Sequence, residues 1–216
     1  MPDYSKLREQ MVQRQIAARG VQSENVLNAM RSVPRERFLP KGQQRLAYDD
    51  APLPIGKGQT ISQPFIVAYM TEALALDGGE KVLEIGTGSG YAAAVLAEIA
   101  ADVYTIERIG GLAIMAREVL AELGYRNVHV RQSDGTLGWP EHAPFDGIVV
   151  TAGGPDVPES LKHQLRTGGR LVIPVGTSTW YQELVRVTRL SADEFDTERL
   201  VPVRFVPLIG EEGWDS

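Results

Sequence analysis

Residues 82–91, Val82-Leu83-Glu84-Ile85-Gly86-Thr87-Gly88-Ser89-Gly90-Tyr91, constrain the fold of this chain more than any other stretch. An apolar run carrying one carboxylate ends in three alternating glycines, and a helical pattern begins directly afterwards. This spacing predicts a β-strand, a tight turn and a helix N-terminus. Glycine suits the turn because the backbone must bend sharply and let a ligand approach with no Cβ in the way. The free N–H groups of the helix start then face that ligand.

The details narrow the ligand. A dinucleotide fingerprint, G-x-G-x-x-G, needs glycine at position 91, where Tyr91 stands. No Gly-Lys-Ser/Thr follows, which excludes a phosphate-cradling P-loop. What remains is E-x-G-x-G-x-G with Glu84 at the strand end, and a carboxylate there suits a cationic ligand better than a pyrophosphate. The segment resembles the first motif of the class I S-adenosylmethionine-dependent methyltransferases, whose cofactor carries a sulfonium and an ammonium.

Composition sets the outer bounds. The 216 residues suffice for one sizeable core. A net charge of -6 without any dense Lys/Arg run disfavours a nucleic-acid partner. The absence of cysteine removes thiolate nucleophiles and zinc-cysteine sites, and His129, His142 and His163 are scattered without ligand spacing, so no metal is expected. The N-terminal residues lead into a polar amphipathic stretch, and no apolar run approaches the ~20 residues that span a bilayer. A soluble cytoplasmic protein without membrane contact is the expectation.

Taken in order, Leu7, Met11, Val12 and Ile16 lie at helical spacing up to Gly20, and a second helix starts near Ser23 with Val26, Leu27 and Met30 on one face. Pro34 ends it. The arginines of this prelude read as solvation of its outer faces. Residues 46–64 combine rigid Pro and Gly with Leu53, Ile55 and Ile61, which predicts an ordered loop that touches something rather than a linker. Pro64 opens a helix carrying Phe65, Ile66, Tyr69, Met70 and Leu74. Beyond residue 79 strands over 82–85, 103–106, 127–131, 146–151 and 171–175 alternate with helices over 90–100, 111–123 and 158–165, with a turn at Gly168-Gly169. Such alternation predicts a parallel sheet covered on both faces. Residues 180–190 and 199–208 alternate apolar and polar, as a final antiparallel pair would. The expected fold is therefore α/β, doubly wound, with a mostly parallel seven-stranded sheet, an N-terminal helical cap and a C-terminal antiparallel pair. Residues 1–78 would pack as cap and loop on an α/β unit of residues 79–216.

Several polar residues fall at strand C-terminal ends, on one rim. Glu107 follows the second strand, where a carboxylate can accept from both hydroxyls of a ribose or simply favour a helix start. Asp134-Gly135 follows the third and reads either as a turn or as an acceptor for an adenine amino group. Residues 149–155 lack the Asn-Pro-Pro-Tyr type of segment that holds base amino groups, and supply no His, Lys or carboxylate as a base. The methyl acceptor then needs no deprotonation. A carboxylate, anionic at neutral pH with an ordinary pKa of ~4, is such an acceptor. Ser62, two residues before Pro64, reads locally as a helix N-cap first and as a functional hydroxyl second, with Gln63 the other candidate for the cap position.

The stretch Asp50 to Pro64, the motif 82–91, Pro144-Phe145-Asp146, Gly168 to Gly176 and Val203-Arg204-Phe205-Val206-Pro207-Leu208 together resemble the protein-L-isoaspartate O-methyltransferase family over about residues 5–208. The most specific part is Gly58-Gln59-Thr60-Ile61-Ser62-Gln63-Pro64. The resemblance implies methyl transfer from S-adenosylmethionine to the free α-carboxylate of L-isoaspartyl residues in damaged proteins and peptides, leaving S-adenosylhomocysteine. It implies that Ser62 is the active-site residue, and that Glu84, Gly86, Gly88, Glu107, Asp134 and Gly135 hold the cofactor. Ile55, Thr60 and Val206, with Ser62, would contact the peptide, in a monomer. Other readings are a small-molecule methyltransferase with residues 46–64 as a lid, or a non-catalytic cofactor-binding module. The binding module has no need of a hydroxyl positioned at Ser62.

Overall fold

The computed structural model describes residues 2–178 and 180–215. The chain opens with helix α1 (Tyr4–Met11), whose N-cap Asp3 accepts from the Lys6 amide, and continues through a π turn and a 3-10 turn to Gly20. Ser23 caps α2 (Glu24–Ser32) by accepting from the Val26 amide, as its position before the apolar stripe predicts. The loop at 46–64 contains a small antiparallel hairpin, β1 (Leu53–Gly56) and β2 (Gln59–Ile61), turned by Lys57 and Gly58 in left-handed backbone. Pro64 occupies the first turn of α3 (Pro64–Leu74), where its missing N–H costs nothing.

The main sheet has seven strands in the order β5-β4-β3-β6-β7-β8-β9: β3 (Lys81–Ile85), β4 (Asp102–Glu107), β5 (Val128–Gln132), β6 (Phe145–Val150), β7 (Leu165–Ser178), β8 (Tyr181–Arg189) and β9 (Phe195–Val203). The first five are parallel and the last two join antiparallel. Strand β3 is central and buried on both faces, hence its continuous apolar run. Val82, Val103, Val149 and Val172 face one core, shared with the N-terminal helices, α3, α4 (Tyr91–Ala97) and α5 (Gly110–Glu122). Leu83, Ile106, Ile148 and Ile173 face the other, packed with Phe145 and with Leu161 of α6 (Glu159–His163). The chain steps from one side of β3 to the other after β5, so the crevice above the β3 and β6 ends is the topological switch point. Among the described residues no helix is long and apolar enough to cross a membrane.

Two strands differ most from the sequence expectation. Gly168 and Gly169 lie inside β7, where Gly168 takes a left-handed φ of 81° and the register to β6 shifts, instead of forming a separate turn. The last strand spans Phe195–Val203 rather than 199–208, because the chain leaves the ladder at Arg204 and crosses over the strand ends. The buried Gln182 side chain makes this departure possible. Its Oε1 accepts from the Phe205 amide at 2.7 Å and its Nε2 donates to the Phe205 carbonyl at 3.2 Å, replacing the ladder bonds that a strand would supply. Gly153 then donates to the Val206 carbonyl and accepts from the Leu208 amide, both at 2.8 Å. A Cβ at Gly153 would collide with the Gln182 amide, so that close approach requires glycine.

Replacing Gln182 by alanine should destabilise the protein by about 1–3 kcal/mol, because it leaves the Phe205 peptide without its partners in a largely dry place. Urea unfolding monitored by tryptophan fluorescence checks this; an unchanged midpoint would mean that the crossing segment is held without Gln182.

Candidate active site

The glycine turn is fastened to both neighbouring strands. The Gly86 amide donates to the Ile106 carbonyl at 2.8 Å, and the Thr151 hydroxyl, at the end of β6, donates to the Gly86 carbonyl at 2.7 Å. Gly86 and Gly88 adopt φ of 96° and 54°, the region that disfavours any Cβ, and a Cβ on Gly86 would strike the Thr151 hydroxyl. Beside the turn, Glu107 holds its carboxylate by accepting from the Gly88 and Ile109 amides, each at 2.8 Å. Gly86, Gly88, Glu107, Ile109 and Gly135 line one cavity, roofed by Val206 to Ile209 of the crossing segment and closed by Gln59 and Thr60 of β2.

A second cleft, of about 480 Å³, opens beside the first between Pro52, Ser62, Gln63 and Ile66 on one wall and Pro202 to Val206 on the other. Thr60, Thr151 and Val206 line both, and Ser62 lines the second cleft as well as a smaller recess shared with Gly86, Thr87 and Gly88. Ser62 therefore stands at the junction of the glycine turn and the open cleft. It does not cap α3: the N-cap position is Gln63, and no side chain caps that helix. Its main-chain carbonyl is held instead by the Arg35 guanidinium at 2.8 Å.

The remaining residues singled out in the sequence take different places. Ile55 is buried, and its Cδ1 packs over Gly88, so its side chain supports the glycine turn from the hairpin. Glu84 is fully buried one layer beneath the turn, on the same face of the sheet as Thr105, whose hydroxyl bonds its Oε2 at 2.5 Å and lies 2.6 Å from the Thr87 hydroxyl. Its Oε1 has no partner. Asp134 has given its carboxylate to its own loop and to the tail: Oδ1 accepts from the Thr136 amide and hydroxyl, and Oδ2 accepts from the Glu211 amide, all at 2.8 Å. Gly135, not Asp134, forms the cavity wall. Two participants escape the sequence reading. Thr151 had a weak signal, a hydroxyl at the C-terminal end of a parallel strand. Arg35 had none, sitting among arginines that face water. Among the described residues no group of three or more His, Asp or Glu side chains converges as a metal site would.

What this arrangement offers a ligand is chiefly shape: a wall without side chains, apolar flanks from Ile85, Ile106 and Leu208, and one acidic and one basic side chain, Glu107 and Arg108, in the lining. A glycine-walled cavity with a carboxylate acceptor suits a nucleoside whose ribose hydroxyls face Glu107. The open cleft beside it admits an extended chain, with hydroxyls at the point where the two meet.

A family model described as protein-L-isoaspartate(D-aspartate) O-methyltransferase matches residues 6–213. Protein-L-isoaspartate O-methyltransferase 1 of Rhodopseudomonas palustris strain HaA2 is 64% identical over 213 residues, which cover 99% of this chain and 87% of that protein. Among solved structures, one described as protein-L-isoaspartate O-methyltransferase aligns with a TM-score of 0.87 at 31% identity, covering 95% of this chain and 67% of its own. A Plasmodium falciparum protein described as a putative protein-L-isoaspartate O-methyltransferase, solved in complex with S-adenosyl-L-homocysteine, aligns with a TM-score of 0.81 at 25% identity, covering 94% of this chain and 98% of its own.

The buried Glu84 sets a pH dependence on stability. Burial pushes its carboxyl up to about 8; the nearby Glu107 charge adds to the rise and the Thr105 bond opposes it. In the unfolded chain the group titrates near its ordinary ~4.3. Between these values the folded state holds a proton that the unfolded state has lost. The contribution is thus complete below pH ~4 and is lost as pH rises through about 8. In the ligand-free protein, Glu84→Gln should remove a fall in stability of up to about 1.4 kcal/mol per pH unit across this window. Denaturant unfolding at pH 5.5, 6.5 and 7.5 measures it, and a variant-to-parent difference that does not change with pH would clear Glu84 of the effect.

Proposed function

This chain belongs to the protein-L-isoaspartate(D-aspartate) O-methyltransferase family, and from that premise we propose how its residues divide the work. The protein is a repair methyltransferase that transfers a methyl group from S-adenosylmethionine to the α-carboxylate of L-isoaspartyl residues in damaged proteins and peptides. When bound, the cofactor supplies an electrophilic methyl and leaves as S-adenosylhomocysteine. Gly86, Gly88 and Gly135 give it a wall without side chains, and the rim carboxylate of Glu107 accepts from its ribose hydroxyls. Glu84 acts from below, filling the space under the turn as a neutral acid. Asp134 acts through the tail it fastens, keeping Val206 to Ile209 over the cavity.

The acceptor carboxylate is anionic at neutral pH and needs no base. The chemistry left to the protein is alignment of one carboxylate oxygen with the methyl carbon, at near-attack distance and away from bulk water. The observation that carries the assignment of Ser62 is its place at the junction of the two cavities. Thr151 lines the same junction, but its hydroxyl is spent on the Gly86 carbonyl, whereas Ser62 is free to donate to the acceptor. Thr60 flanks it, and the Val206 to Pro202 segment forms the opposite wall along which a peptide main chain lies. After transfer a backbone amide nitrogen attacks the ester carbonyl and expels methanol, which takes up the amide proton, to form a succinimide; addition of water to that ring restores part of the normal aspartyl linkage. The negative net charge agrees with a substrate recognised by backbone shape and not with nucleic acid.

Two measurements test this reading. With methyl-labelled S-adenosylmethionine and paired peptides differing only in one isoaspartyl or aspartyl linkage, base-labile label should appear on the isoaspartyl peptide alone. Ser62→Ala should lower turnover at least tenfold while calorimetric binding of S-adenosylhomocysteine stays within about twofold, as expected when a hydrogen bond made in the transition state is removed. Full turnover by the alanine variant would end the assignment of Ser62.

A further inference from the structure

Arg35 is fully buried, yet among the described residues it forms no ion pair with any carboxylate. Burying a guanidinium without a counter-charge is among the costlier choices a fold can make, and an apolar side chain of similar volume would fill the space more cheaply. Its bonds show what the charge is used for. Nε donates to the Ala47 carbonyl and one terminal nitrogen donates to the Ser62 carbonyl, both at 2.8 Å. The guanidinium carbon lies 4.8 Å from the centre of the Tyr91 ring, and Tyr91 is the first residue of the helix that follows the glycine turn. The other terminal nitrogen is buried and unpartnered.

Ala47 and Ser62 bracket the segment that carries the β1–β2 hairpin and ends at the candidate active-site serine. One planar group thus ties both ends of that segment to each other and stacks them on the start of the cofactor-facing helix. We propose that Arg35 is a positioning residue for methyl transfer, fixing the main chain of Ser62 relative to the glycine turn so that the serine hydroxyl meets the acceptor carboxylate in line with the methyl group. The proposal rests on the assignment of Ser62 above. Its physical basis is rigidity: the guanidinium presents donors in a fixed fork that can span two carbonyls, and an ammonium on a flexible stem cannot reproduce that geometry. Small displacements of a positioning group are expensive in rate, about a hundredfold for 1 Å.

The test is a cycle built from Arg35→Lys, Ser62→Ala and the double variant, with Arg35→Gln as a second replacement in case lysine is poorly accommodated. Tyr48→Phe serves as a control, since it removes a bond to Glu36 beside Ala47 and leaves both Arg35 bonds in place. For each variant kcat and KM for an isoaspartyl peptide are measured with S-adenosylhomocysteine affinity and thermal unfolding. We expect Arg35→Lys and Arg35→Gln to lower kcat at least tenfold with cofactor affinity within twofold of the parent. The double variant should be no more than twofold slower than Ser62→Ala, because a residue that works through Ser62 has nothing left to position. Tyr48→Phe should keep its kcat even where its unfolding temperature drops. Folded Arg35 variants with parental kcat beside an impaired Ser62→Ala would overturn the role of Arg35 and leave that of Ser62 standing. Multiplicative losses in the double variant would also overturn it, by showing that Arg35 acts on something other than Ser62. An unimpaired Ser62→Ala would remove both.

Discussion

The site depends on the backbone of Gly86, where three strands exchange their last hydrogen bonds. Its amide is held by β4 and its carbonyl by the Thr151 hydroxyl of β6, while the Thr151 amide donates to Ile85 at 2.9 Å. A turn anchored on both sides cannot sag toward the cavity or lift from the sheet, so the position of Gly88 and the helix start beyond it are fixed by the sheet itself. Glu107 then finds its amide partners, Gly88 among them, already in place. The rigidity of the cavity wall is a property of the parallel sheet at its switch point, not of the loop sequence alone.

Around that fixed point the irregular parts of the chain are tied down by side chains acting as substitutes for secondary structure. Gln182 replaces a strand neighbour for Phe205, Asp134 and Thr136 hold the amides of Glu211 and Glu212, and Trp214 donates its indole N–H to the Gly153 carbonyl. Arg35 does the same at the opposite wall. Each of these groups joins segments far apart in sequence, and each sits where the chain has no ladder or helix to satisfy its backbone. The cleft between the walls is thus an assembly of irregular segments held by a handful of polar side chains.

This division explains what could be read in the sequence. The alternation of apolar runs with helical spacing is a local signal, and it located the strands and the glycine turn to within a few residues. Glu107 was legible because its distance from the turn follows from one strand-helix-strand unit. The end of β9 was not, since Val201, Val203 and Phe205 alternate as in a strand and only the distant Gln182 draws the chain away. Thr151 and Arg35 were hidden for the same reason: a hydroxyl and a guanidinium carry no mark of whether a carbonyl from elsewhere will be waiting. Ser62 lay between these cases. Its local pattern favoured a helix cap, and the resemblance of its surroundings to a known family pointed the other way.

Strand β9 closes one side of the sheet, and its outer backbone is a row of donors and acceptors that another extended chain could join. Such an edge is a hazard for a protein that receives partly unfolded polypeptides in a neighbouring cleft. The strand carries Asp196, Glu198 and Arg199 on its exposed stretch, and Pro202, which has no N–H to offer, at the cleft wall. Charge along the edge and a missing donor at its end discourage continuous strand addition. The same proline that shapes the wall of the cleft thus also interrupts the row of backbone donors on the strand that ends the sheet.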